Sequence, residues 1–213
     1  MLVAVESWLR RARSAAGPTT AVILLRLLVG FAFVPAGLKK VLGQRFTDPA
    51  NGGAFHEVLH AFYATGAFYR FVGVLQLVAA ALLVTQRFAF AGVVLALPIA
   101  TAIMALCWST GVVPTAIVIT LIWFALVGML LWDVDPRAVA LRPRPSPPCP
   151  GVDLQRWQRC GLAMLVVYGV ACAVEGGVYR PRGLELSDPR FYVFPAIMLL
   201  PTATLILERR RRL

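Results

Sequence analysis

The sequence predicts an all-α fold: a polytopic membrane helix bundle of six transmembrane helices, four forming a core and two following as an appendage. Three observations predict it. Of the 213 residues, 59% are hydrophobic and only 15% charged, against about 45–50% and about 25% in soluble domains. Several apolar runs reach the roughly 20 residues that a helix needs to cross a hydrocarbon core about 30 Å thick. A Pro-rich interruption then separates the fourth run from the fifth. A mean hydropathy of +0.76 excludes a soluble globular enzyme.

The first span, Thr20 to Leu42, follows a segment bearing Trp8, Arg10, Arg11 and Arg13. Its apolar stretch is longer than the roughly 7–15 residues of a signal-peptide core and contains Arg26, so it reads as a retained span. The second and third spans, Gly66 to Thr85 and Phe88 to Trp108, are parted only by Gln86 and Arg87; Ser109 to Gly111 then leads into the fourth, Val112 to Leu131. Turns this short require antiparallel neighbours, which makes the first four spans an up-and-down bundle. Arg137 to Pro150 holds the run Arg-Pro-Arg-Pro-Ser-Pro-Pro-Cys-Pro, which proline bars from helix and leaves as an extended linker. The fifth and sixth spans are Arg159 to Val178 and Phe191 to Leu207. The chain thus divides into an N-terminal segment (1–19), the four-span core (20–135), a Pro/Arg-rich linker (136–157), a two-span appendage (158–208) and a basic tail (209–213).

The net charge of +11 would suggest a nucleic-acid partner in a soluble protein. Here most basic residues sit at span ends, so the bilayer is the partner and no nucleic acid is expected. With Arg26 set aside as intramembrane, thirteen Lys and Arg fall on the side of the two termini and seven on the other: Lys39, Lys40, Arg45, Arg70, Arg180, Arg182 and Arg190. The positive-inside rule then places both termini in the cytoplasm. The tail Glu208 to Arg212 reads as a topology determinant that also attracts anionic lipid.

Within the first span, Arg26, Gly30, Phe33, Gly37 and Lys40 recur at steps of four, three, four and three, which puts all five on one helix face. Glycines on that face let a second helix approach closely, and the two cations lie about 21 Å apart along the axis. Ionisable residues inside a membrane are functional candidates by default, so Arg26 and Lys40 are candidate binders of an anion or a quinone-like headgroup. Snorkelling to the nearest interface is the competing explanation, equal in weight for Arg26 and favoured for Lys39 and Lys40. Gln76, mid-span, reads first as an interhelical hydrogen-bonding residue and second as a ligand contact. Pro35, Pro98, Pro195 and Pro201 interrupt helices.

That stripe, followed by Gln44-Arg45-Phe46-Thr47, the run Gly73 to Leu83, Gln86-Arg87-Phe88-Ala89, Leu97-Pro98-Ile99 and Trp132-Asp133, resembles the DoxX family of bacterial membrane proteins over about residues 20–135. The resemblance implies a compact four-helix bundle in the bacterial inner membrane, in a family named after a subunit of a thiosulfate:quinone oxidoreductase. It also implies a redox partner protein. The fifth and sixth spans lie outside it, and Gln76 stands where the broad family often carries a carboxylate.

His56-Glu57-Val58-Leu59-His60 matches H-E-x-x-H, in which two histidines on one helix face hold zinc and the glutamate polarises its water. These are the only two histidines, and a third ligand would have to come from Glu175, Glu185 or Asp188. The segment Ala54 to Tyr63 reads foremost as an amphipathic interfacial helix, with a metal site or a zinc metallopeptidase ranked behind. The four cysteines show no C-x-x-C spacing and read as small buried hydrophobes; Cys107 and Cys172 could pair if their spans adjoin. No P-loop, dinucleotide glycine motif or haem-attachment motif is present.

The leading expectation is therefore a non-catalytic membrane subunit or anchor of a redox complex. No cofactor is assigned; quinone ranks first among the candidates and zinc behind it, and self-association is open. A small anion or metabolite transporter using the same charges is the alternative. No catalytic residue is assigned.

Overall fold

A computed structural model of the chain describes residues 11–133, 151–179 and 187–210. Among them are seven α-helices: α1 (Ala16–Val41), α2 (Ala54–Ala64), α3 (Ala67–Val84), α4 (Ala89–Ser109), α5 (Val113–Asp133), α6 (Leu154–Val174) and α7 (Val193–Arg210), the last preceded by a 3-10 turn at Pro189–Tyr192. All but α2 are long and apolar enough to cross a membrane. The protein is a multi-pass membrane helix bundle in contact with lipid.

The outward faces are those of a lipid-facing surface: Leu121, Phe124, Leu131, Leu162 and Leu199 are all more than half exposed. The inward faces meet through small residues. The most extensive contact is between α1 and α3, and glycine sets its closeness. A Cβ on Gly73 would stand 2.6 Å from the Cβ of Lys40, and one on Gly37 would stand 2.9 Å from the carbonyl oxygen of Gly73. Between apolar helices in lipid, such close packing supplies the dispersion energy that burial from water supplies elsewhere. From α3 the bundle continues through α4 to α5, where Trp108 Nε1 donates to Thr120 Oγ1 at 3.0 Å and Trp123 Nε1 to Thr101 Oγ1 at 2.9 Å. The circuit closes back onto α1 over a smaller area.

The last two spans dock on the core. Gly161 of α6 is seated against Val84 and Leu27, too close for any side chain. Phe31 of α1 meets Tyr168 edge-on at 5.4 Å and Phe194 at 5.8 Å. Gln158 Nε2 donates to the Thr85 carbonyl at 2.9 Å. Trp157, Met164, Tyr168 and Ile197 of these two spans join the same hydrophobic cluster as Leu27, Phe31 and Leu83.

The first helix begins four residues before the predicted span and the last runs three residues past it, and the fifth span differs at both ends. The fifth span begins at Leu154, inside the stretch assigned to the linker, because Asp153 caps it by accepting from the backbone N–H groups of Gln155 and Arg156. It ends at Val174, not Val178, because Gly176 takes φ +63° and the Gly177 N–H turns back to the Cys172 carbonyl at 3.1 Å. Pro195 falls in the first turn of α7, where no intrahelical donor is needed, while Pro35, Pro98 and Pro201 lie inside continuous helices. The Pro-rich run 142–150 lies outside the described residues.

Candidate functional site

The start of α1 and the end of α7 lie at one end of the bundle, here called the terminal end, where Arg13 reaches the end of α5 and Glu208 the start of α6; α2, between the end of α1 and the start of α3, lies at the opposite, far end. Arg26 belongs to the terminal end. Helix α1 is about 39 Å long at 1.5 Å per residue, and its first turns extend past the α3–α4 turn, so Arg26 stands level with that turn and with the end of α5. Its Nη2 donates to Asp133 Oδ1 at 2.5 Å and its Nη1 to Gln86 Oε1 at 3.3 Å. Arg26 is 9% exposed, with Gln86 at 6% and Asp133 at 7%. Gln86 holds φ +59°, the one non-glycine in the left-handed region among the described residues, a conformation that needs support from its surroundings. Arg13 closes the cluster from the other side, donating to the carbonyls of Leu131 and Trp132 and lying over the Trp132 ring.

The ion pair leaves bonding capacity in place. Arg26 Nε, Gln86 Nε2 and Asp133 Oδ2 are buried and make no hydrogen bond among the described residues. Two donors and one acceptor are thus gathered in one low-dielectric spot, where polar groups bind a complementary partner strongly.

Lys40 and Gln76 meet at the far end. Lys40 Nζ donates to Gln76 Oε1 at 3.0 Å and to the Ala36 carbonyl at 3.2 Å, and lies 4.8 Å from the Phe46 ring centre and 5.9 Å from that of Tyr69. Its ammonium is therefore held by an amide, a carbonyl and two aromatic faces, with no carboxylate at it among the described residues. Lys39 bonds the Phe46 carbonyl at 3.3 Å. The seam of small residues explains how so large a side chain fits: Gly73 makes room for the Lys40 stem. Arg26 and Lys40 share a helix face but not a site.

Helix α2 has no buried residue and packs on α3. His56 Nδ1 lies 2.6 Å from Thr47 Oγ1, and His60 Nε2 lies 3.4 Å from the Asn51 carbonyl. In that contact a carbonyl oxygen can only accept, so His60 Nε2 is the donor when the bond is made. Among the described residues no three His, Cys, Asp or Glu side chains gather as a metal site. Glu175 and Asp188, candidates for a third ligand, are both bound to Arg190; Glu185 lies outside the described residues. Cys107, Cys160 and Cys172 are free thiols, and Cys172 Sγ accepts from the Tyr179 N–H at 3.4 Å. Cys149 lies outside the described residues.

Three participants escaped the sequence reading. Gln86 and Asp133 were visible only as parts of a pattern, although an intramembrane arginine calls for an acidic partner and Asp133 ends a span. Glu208, read as the start of a basic tail, is 4% exposed and ties α7 to α6 by accepting from the Asp153 N–H at 2.8 Å and from Trp157 Nε1 at 3.2 Å. No protein-family profile, no curated protein and no solved structure matches this chain.

Proposed function

We propose that the chain is a DoxX-like subunit of a bacterial inner membrane, with both termini cytoplasmic, that holds a quinone-type headgroup at Arg26, Gln86 and Asp133 beside a redox partner protein. One observation carries this reading: the buried donors Arg26 Nε and Gln86 Nε2 stand in one cluster with the buried acceptor Asp133 Oδ2. A quinone supplies two-electron, two-proton chemistry when bound, presenting carbonyl oxygens that accept when oxidised and hydroxyls that donate when reduced. Gln86 Nε2 and Arg26 Nε would donate to a carbonyl oxygen, and Asp133 Oδ2 would take up or give back one of the two protons, the other exchanging with water at the terminal end. Arg26 compensates the carboxylate charge in the interior. Electron transfer belongs to the partner. The charge balance also separates this reading from an anion carrier, since Arg26 already spends its charge on Asp133.

The test is titration of a short-chain quinone into the purified protein, followed by tryptophan fluorescence, because Trp132 adjoins Asp133. Gln86→Asn tolerates the left-handed backbone but shortens the side chain by one methylene. The expected result is saturable quenching that weakens on the order of tenfold in Gln86→Asn, the loss of about one hydrogen bond. Equal affinity in the two proteins would overturn the site.

A further inference from the structure

A groove of about 500 Å³ opens at the terminal end between the α3–α4 turn and the start of α6. Its upper wall carries Arg87 and Arg159, and its lower wall is made by Val84, Phe88, Leu162 and Leu165. Both arginines are exposed residues, and neither pairs with a carboxylate among the described residues. Arg87 instead rests over the Phe88 ring at 5.5 Å. Gln158 fixes the groove by bonding the Thr85 carbonyl. Helix α4 also begins here, with Phe88 at its N-cap, which provides no side-chain cap for the first N–H groups. Positive charge and uncapped helix donors lie above; an apolar wall that continues onto the lipid-facing Leu162, 61% exposed, lies below.

From this arrangement we infer that the groove is a specific site for an anionic phospholipid. The phosphate sits between Arg87 and Arg159, and an acyl chain descends along Phe88, Leu162 and Leu165. Arginine suits the role because its planar donor fork matches phosphate oxygens. Charge at the top with hydrocarbon below excludes a soluble anion as the best occupant, since a free phosphate would leave the apolar wall uncovered. The groove adjoins the Arg26 cluster through the α3–α4 turn, where Arg87 follows Gln86, but the lipid assignment does not rest on the quinone reading.

The experiment is delipidation of the full chain in detergent, followed by re-addition of phosphatidylglycerol or phosphatidylcholine. Bound lipid is counted by mass spectrometry and the thermal midpoint is recorded. The expected result is preferential retention of about one phosphatidylglycerol per chain, with affinity falling roughly twenty-five-fold in Arg87→Gln/Arg159→Gln, at about fivefold per arginine. Arg209→Gln/Arg210→Gln, which thins only the diffuse charge of the tail, should leave retention intact. Equal retention of both lipids, an unchanged double variant, or a midpoint raised as much by inorganic phosphate as by phosphatidylglycerol would each overturn the assignment.

Discussion

The guanidinium of Arg26 and the carboxylate of Asp133 meet at 2.5 Å although 107 residues separate them in sequence. The pair closes the four-span circuit where α1 and α5 touch over the smallest area of the ring. Both side chains are about nine-tenths buried, so removing one leaves an uncompensated charge in a low-dielectric site. Arg26→Leu or Asp133→Leu should each destabilise the bundle by about 3 kcal/mol, and the double variant should cost less than either. Thermal unfolding in detergent checks this; independent, additive losses would show that the two residues are not coupled.

Packing at the α1–α3 seam is equally exposed to test. Gly73→Ala places a Cβ 2.6 Å from that of Lys40, and the helices must separate, at about 1–3 kcal/mol. Gly128→Ala is the control, because nothing lies within 4 Å of the added carbon and alanine favours the helix. The thermal midpoint should fall in the first and hold or rise in the second.

The histidine pair should behave as a support for the loop before α2. His56→Ala removes the contact with Thr47 Oγ1 and should speed proteolysis between residues 42 and 53. Protein purified without chelator should carry far less than one zinc per chain, measured by plasma emission. Stoichiometric zinc that disappears in His60→Ala would restore the metal reading.

At the far end, Arg190 bonds the Asp188 side chain and Asp188 accepts from the Arg190 N–H, which together hold the carboxyl below its ordinary pKa. A depressed folded-state value stabilises fully above the unfolded value of about 3.9 and is lost as pH falls through the folded one. Wild type should therefore exceed Asp188→Asn in thermal midpoint at pH 6, with the gap closing below about pH 4. A gap that persists unchanged at pH 3 would remove the titration of Asp188 from the account.

The spans were legible because hydrocarbon selects long apolar runs and little else; every candidate span has its helix, and the amphipathic segment from Ala54 became α2. Lys40 and Gln76 were both singled out, yet nothing in their spacing announced that they would bond. The pairing of Arg26 with Asp133 and Gln86 was hidden for a related reason. One-dimensional periodicity assigns a residue to a helix face, but which helix lies opposite, and at what depth, depends on how far α1 extends beyond its neighbours. Glu208 was concealed by the arginines beside it, since tail composition outweighed the single acid that packs on Trp157. The start of α6 was missed because its first turn is polar, and hydropathy registers the membrane rather than the helix.

The most direct test of the central proposal is gentle-detergent purification from native membranes, with mass spectrometry of accompanying proteins and quantification of quinone, for wild type and Gln86→Asn side by side. The account predicts a stoichiometric redox-active companion and bound quinone in wild type, with the quinone reduced in the variant. A chain that emerges alone, without quinone, would contradict it.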